Sequence, residues 1–80
     1  MEVTMYKSTI MIHDIDTARK FVDDMVEFID IKILLKSGDY AIDGHSIIGI
    51  ISLDFSQPIN LEASGEITEN FKTAVEQYAI

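Results

Sequence analysis

The sequence predicts an α+β domain in which helices cover one face of an antiparallel β-sheet. Short runs with alternating apolar residues indicate strands, and two longer segments with helical periodicity indicate amphipathic helices. Their order is strand, helix, strand, strand, short helix, strand, helix. Short strands beside amphipathic helices need a second layer to bury their apolar faces, so a sheet covered on one side is expected. The 80 residues suit one such domain, which we assign to residues 1–80.

The chain begins with a predicted strand over Thr4–Ile12, followed by an amphipathic helix over residues 15–29. Asp14 or Asp16 caps the start of this helix, where a carboxylate can accept hydrogen bonds from unpaired amides. The helical period turns one set of residues toward the core: Ile15, Ala18, Phe21, Val22, Met25, Phe28 and Ile29.

A hairpin, a fourth strand and a last helix follow. The predicted strands Ile31–Leu35 and Tyr40–Ile42 flank a turn at Ser37-Gly38-Asp39. A strand over Ile59–Ala63 and a helix over residues 66–78 complete the order. The last helix is expected to turn inward Ile67, Phe71, Ala74, Val75 and Tyr78.

The most apolar run is Gly44–Phe55, between the hairpin and the fourth strand. Ser46 is a good N-cap for a short helix, because its hydroxyl can accept a bond from an amide of the first turn. Ile48 then faces solvent, and His45 is expected to be a solvated neighbour of the serine. A solvent-facing isoleucine beside a capping serine is a candidate docking site, although a purely structural role for this run is the simpler alternative. One helical face is shared by Ile47, Ile50 and Ile51.

Charge and composition narrow the classes of partner. The chain has 14 acidic and 6 basic residues, a formal charge of −8 and no cysteine. This balance argues against nucleic acid and anionic membranes and favours basic protein partners. No apolar run approaches the roughly 20 residues that span a bilayer, and Met1–Val3 lacks the basic region of a signal peptide. We therefore expect a cytoplasmic protein.

The order of residues in Ser46–Leu53 points to a family. This segment reads Ser-Ile-Ile-Gly-Ile-Ile-Ser-Leu. It resembles the Ser-Ile-Met-Gly-Val-Met-Ser-Leu signature of HPr, the histidine-containing phosphocarrier of the bacterial sugar phosphotransferase system. The resemblance implies a sheet of four antiparallel strands covered on one face by three helices. It also implies that Ser46 is a regulatory phosphorylation site and that the helix after it docks partner proteins, through Ile47, Ile48 and Ile51.

The phosphohistidine site of that family matches less well. There, a His-Ala-Arg-Pro motif begins the first helix, and the histidine accepts phosphate from enzyme I. Aligned from the left, His13 takes the histidine position, and Ile15 and Asp16 replace arginine and proline. Aligned from the right, Asp14 takes the histidine position and Asp16 the arginine position. In both alignments the arginine and proline are missing and carboxylates stand near the expected phosphate.

Three interpretations follow. The first is a regulatory relative of HPr that acts through Ser46 and has lost histidine phosphotransfer. The second is a working phosphocarrier that uses His13, and the third is a ligand-binding or oligomerising module that keeps only the fold. The resemblance implies that the partners are enzyme I, HPr kinase or a catabolite regulator, and that the chain is a monomer or a weak homodimer. We expect the protein to need no cofactor and not to be a turnover enzyme. His13, Asp14 and Asp16 are a weak metal pattern without a fourth ligand, so no metal is expected either.

Overall fold

A four-stranded antiparallel sheet organises the molecule, which we describe from a computed structural model for residues 4–80. Its strands lie in the order β1-β4-β2-β3. Leu61 lies opposite Leu35 in the central pair of strands, and Ile59 lies opposite Ile10 of the neighbouring edge strand. Met1–Val3, on which the expectation about a signal peptide rests, lies outside the described residues. The strands are β1 (Thr4–Ile10), β2 (Lys32–Ser37), β3 (Tyr40–Asp43) and β4 (Ile59–Gly65).

Two α-helices connect strands and a third follows β4, and each begins at a side-chain cap. The helices are α1 (Ile15–Met25), α2 (Ile47–Ile51) and α3 (Glu69–Glu76), with a turn of 3-10 helix at Val26–Phe28. Asp14, Ser46 and Thr68 are the caps, and each accepts a hydrogen bond from the amide three residues later. The element order and the α+β class predicted from the sequence are confirmed. The last helix starts at Glu69 rather than near residue 66, because its cap is Thr68.

The core lies between one face of the sheet and the helices. Alternate residues of β4 point into it, and Phe71 of α3 makes edge-to-face contacts with the rings of Tyr6 and Phe28. Val22, which we predicted to face the core, is half-buried at its margin, and so is Ile42. The largest fully buried side chains are Phe21, Phe71, Ile10, Ile12, Met25, Ile33, Leu35, Ile50, Ile59, Leu61 and Val75.

Two core predictions for the first helix are wrong. Ile15 and Ile29 are exposed, although the helical period assigns both to the inner face. The α-helix ends at Met25 and tightens into the 3-10 turn, which changes the angle per residue and rotates Ile29 outward. Ile15 is the first residue of α1, and periodicity does not show how far along a helix the core extends. The first strand also ends at Ile10, although Ile12 remains buried.

Gly44 is placed where the hairpin meets the core. Its amide donates a hydrogen bond to the Ile33 carbonyl at 2.8 Å, and a Cβ atom there would meet the Ile33 side chain, with Ile33 Cβ at 2.9 Å. Gly49, in α2, has more room, because a Cβ would lie at the ordinary distance of 3.4 Å from Ile42. A side chain therefore has much less room at Gly44 than at Gly49.

We expect Gly44→Ala to lower the free energy of unfolding by about 1–3 kcal/mol, because the added methyl overpacks the contact with Ile33. Gly49→Ala is the matched control. It should be neutral or stabilising by up to about 1 kcal/mol, since alanine favours the helix. Urea titration of both variants measures the difference, and equal midpoints would contradict the close contact.

Candidate functional site

Ser46 lies at the start of α2 and holds its first turn together. The Ser46 Oγ accepts a hydrogen bond from the Gly49 amide at 3.2 Å, and the Ser46 carbonyl accepts one from Ile50 at 3.0 Å. The residue is half-buried, and its own amide donates to the Asp43 carbonyl at 3.1 Å. The serine is therefore an N-cap, as its position before the apolar run predicted.

The four isoleucines of α2 form a graded surface. Ile50 is fully buried, Ile47 is half-buried, Ile51 is 44% exposed and Ile48 is 77% exposed. At 100° per residue, Ile47, Ile51 and Ile48 lie about 60°, 100° and 160° around the helix from Ile50. Ile51 was expected to share the inner face, but a five-residue helix centred on Ile50 leaves it nearly half open. Ile48 and Ile51 together form the apolar surface of α2.

His45 has a structural role that the sequence did not reveal. Its ring is half-buried, and Nε2 lies 3.1 Å from the Ile31 carbonyl oxygen. Its amide donates a hydrogen bond to Asp43 Oδ1 at 2.9 Å. His45 is therefore not simply solvated. It connects the start of α2 to the segment that enters β2, a contact across 14 residues of sequence that no local pattern indicates.

The start of α1 is occupied by a carboxylate. Asp14 is the N-cap, and its Oδ1 accepts a hydrogen bond from the Thr17 amide at 2.7 Å. Hydrogen bonding to Thr17 lowers the pKa of Asp14 below its usual value. His13 is exposed one residue before the cap, and Asp16 is exposed in the first turn. Asp14, rather than Asp16, is therefore the cap of α1.

The lysine that borders the same depression as His13 already has partners. His13 and Lys20 border one shallow depression at the side of α1. Lys20 Nζ, however, forms an ion pair with Asp24 Oδ2 at 3.0 Å and a hydrogen bond with Gln77 Oε1 at 3.2 Å. The Tyr78 hydroxyl donates to the same Asp24 oxygen at 2.6 Å. These contacts join α1 to the C-terminal end of the chain.

Burial and the hydrogen bond to Asp24 raise the pKa of Tyr78 to about 12. The same hydrogen bond, with a smaller contribution from Lys20, lowers the pKa of Asp24. The Lys20-Asp24-Tyr78 cluster is thus an electrostatic clamp between the first helix and the end of the chain.

Residues 4–80 contain neither a metal-binding cluster nor a helix that could span a membrane. No three His, Asp or Glu side chains in this range lie close enough together to hold a metal ion, so His13, Asp14 and Asp16 form no such group. Within the same range, no helix is both long and apolar enough to cross a membrane.

Two solved structures are similar to this chain over nearly its whole length. Phosphocarrier protein HPr from Bacillus anthracis strain Ames has a TM-score of 0.72 and 18% identity, over 98% of each chain. HPr-C-His from Thermoanaerobacter tengcongensis has a TM-score of 0.69 and 24% identity, over 96% of this chain and 89% of that one.

No family model and no curated protein sequence matches the chain. The structural likeness shows that the chain has the HPr-like fold, with four antiparallel strands and three helices. The fold that the Ser46–Leu53 signature implied is confirmed.

The Lys20-Asp24-Tyr78 cluster should make the free energy of unfolding fall at alkaline pH. In the unfolded chain the phenol loses its proton near pH 10, whereas the folded chain holds it until about pH 12. Its stabilisation is therefore complete below pH 10 and is lost as the pH rises toward 12, by about 1–3 kcal/mol. Tyr78→Phe should be less stable than the native chain at pH 8, and this gap should close as the pH rises. Urea denaturation across pH 8–12 measures it, and a constant gap would contradict the clamp.

Proposed function

We propose that this protein is a regulatory relative of the HPr phosphocarriers that acts through Ser46 and α2 and does not pass phosphate through a histidine. The observation that carries the proposal is the contrast between the two helix starts. At α1 the cap is the carboxylate of Asp14, whereas at α2 it is the hydroxyl of Ser46 beside the exposed Ile48.

The start of α1 is unfavourable for a phosphohistidine. The Thr17 amide, which would have to hold a phosphate, already donates to Asp14. Asp16 adds a second negative charge in the same turn. Like charges about 5 Å apart near a protein surface cost on the order of 1–3 kcal/mol each. A phosphate on His13 would therefore meet two carboxylates rather than the arginine that the HPr motif supplies.

The start of α2 suits regulation by phosphorylation. A phosphate on Ser46 would add nearly two negative charges next to the apolar surface formed by Ile48 and Ile51. The surface would then favour a partner that carries arginine and disfavour an acidic partner. Ser46 lies at the N-terminal end of a five-residue helix rather than inside the core, so its phosphorylation need not unfold the domain.

This assignment makes the protein a binding and signalling component of a cytoplasmic phosphotransferase system rather than a turnover enzyme. Its partners would be proteins: HPr kinase at Ser46, and a catabolite regulator or a transport component at α2. We propose no cofactor for this role.

The Ser46 proposal is tested with ATP and an HPr kinase from the same cell. We expect one phosphate per chain by intact-mass measurement, and no phosphate on Ser46→Ala. The phosphorylated protein should keep its unfolding midpoint, and Ile48→Asp should abolish partner binding without changing that midpoint. If the kinase modifies a true HPr but leaves this chain unmodified, the regulatory role fails and a module that keeps only the fold becomes the better description.

A working phosphocarrier is the second candidate, because His13 is exposed and borders the depression that Lys20 shares. We expect no acid-labile phosphate on His13 after incubation with phosphoenolpyruvate and enzyme I. Restoring the HPr motif with Asp14→Ala, Ile15→Arg and Asp16→Pro should raise transfer if charge is the obstacle. A stoichiometric phosphoryl adduct on the native chain, absent from His13→Ala, would establish the phosphocarrier instead.

A further inference from the structure

A cleft opens beside α2, between the β2–β3 turn and the loop that follows the helix. It is lined by Asp39 and Tyr40 from the hairpin and by Ser52, Asp54 and Pro58 from the segment after the helix. Tyr40 is 71% exposed. We call this feature the Tyr40 cleft.

The Tyr40 cleft continues the apolar surface of α2. Ser52, in its wall, is the C-cap of the helix and follows Ile51 directly. The helix itself packs against β3, which starts at Tyr40. The cleft and the exposed side chains Ile48 and Ile51 are therefore neighbours on the surface.

The charged residues that line the Tyr40 cleft are both acidic. They are Asp39 and Asp54, and no lysine or arginine in residues 4–80 lines the cleft. Hydrogen bonds from the hydroxyl and amide of Ser56 lower the pKa of Asp54, so it is ionised at neutral pH. A partner that covers this region must supply the positive charge itself.

We propose that the Tyr40 cleft receives an arginine side chain of a partner protein whose apolar residue rests on Ile48 and Ile51. Arginine fits better than lysine, because its planar guanidinium stacks on an aromatic face and pairs with a carboxylate at the same time. The proposal extends the docking role proposed for α2 by naming the partner's chemistry. Its test needs neither Ser46 phosphorylation nor an identified partner, so the two proposals fail separately.

The probe is N-acetyl-arginine amide, titrated into the ¹⁵N-labelled chain and followed by amide chemical shifts. Shifts should concentrate at residues 38–40 and 52–57, and N-acetyl-citrulline amide, which has the same shape without the charge, should give none. Asp39→Asn combined with Asp54→Asn should weaken binding by about fivefold or more. Asparagine keeps the acceptor for Ser56, so the loop is preserved. Tyr40→Leu should weaken binding about threefold, by removing the aromatic face.

Asp23→Asn combined with Glu27→Gln is the matched control, because it removes two charges from α1 and the 3-10 turn after it, outside the cleft. It should leave the shifts at the cleft unchanged. The proposal is overturned if arginine amide shifts are spread over the whole acidic surface, if citrulline amide gives the same pattern, or if the control weakens binding as much as the cleft variant. The amide shifts at the cleft could also change with protein concentration when no probe is present. If that change is lost in Arg19→Gln, the cleft binds a second copy of the chain, and the proposal is overturned.

Discussion

The close approach of Gly44 to Ile33 is the contact on which the placement of the α2 region depends. The backbone hydrogen bond between these residues brings the end of the hairpin against the core, and only a residue without a side chain fits there. Ser46 follows two residues later, so this contact sets where α2 begins. His45 strengthens the arrangement, because its ring reaches the Ile31 carbonyl just before β2.

The N-caps of α1 and α2 make the same kind of hydrogen bond with chemically different side chains. A cap must present an acceptor to amides that have no partner, and both a carboxylate and a hydroxyl satisfy that need. A carboxylate cap brings a permanent negative charge, whereas a hydroxyl cap is neutral until it is modified. Asp14 and Ser46 are equivalent as caps, but only Ser46 leaves the helix start free of a fixed charge.

Charge is distributed in a way that suits the proposed docking role. The open face of the sheet carries Lys7, Lys32 and Lys36, which is half of the basic residues, and Lys36 pairs there with Glu62 at 3.0 Å. The charged residues that line the Tyr40 cleft, Asp39 and Asp54, are both acidic, and their field favours cationic groups of a partner.

The sequence by itself determined the element order, the cap at Ser46, the inward face of β4 and the solvent-facing position of Ile48, and it narrowed the cap of α1 to Asp14 or Asp16. Each of these depends on residues within a turn or two of one another, so periodicity and capping chemistry are sufficient. The signature at Ser46–Leu53 also pointed to the fold. Only the tertiary structure decided what lies far apart in the chain.

The exposure of Ile15 and Ile29, the anchoring of His45 and the Lys20-Asp24-Tyr78 clamp belong to that second group. So does the Tyr40 cleft, whose walls come from the hairpin turn and from the loop after α2. The physical reason is the same in each case. Local pattern reports which side of an element is apolar, whereas the extent of the core and the meeting of distant side chains depend on how the helices pack on the sheet.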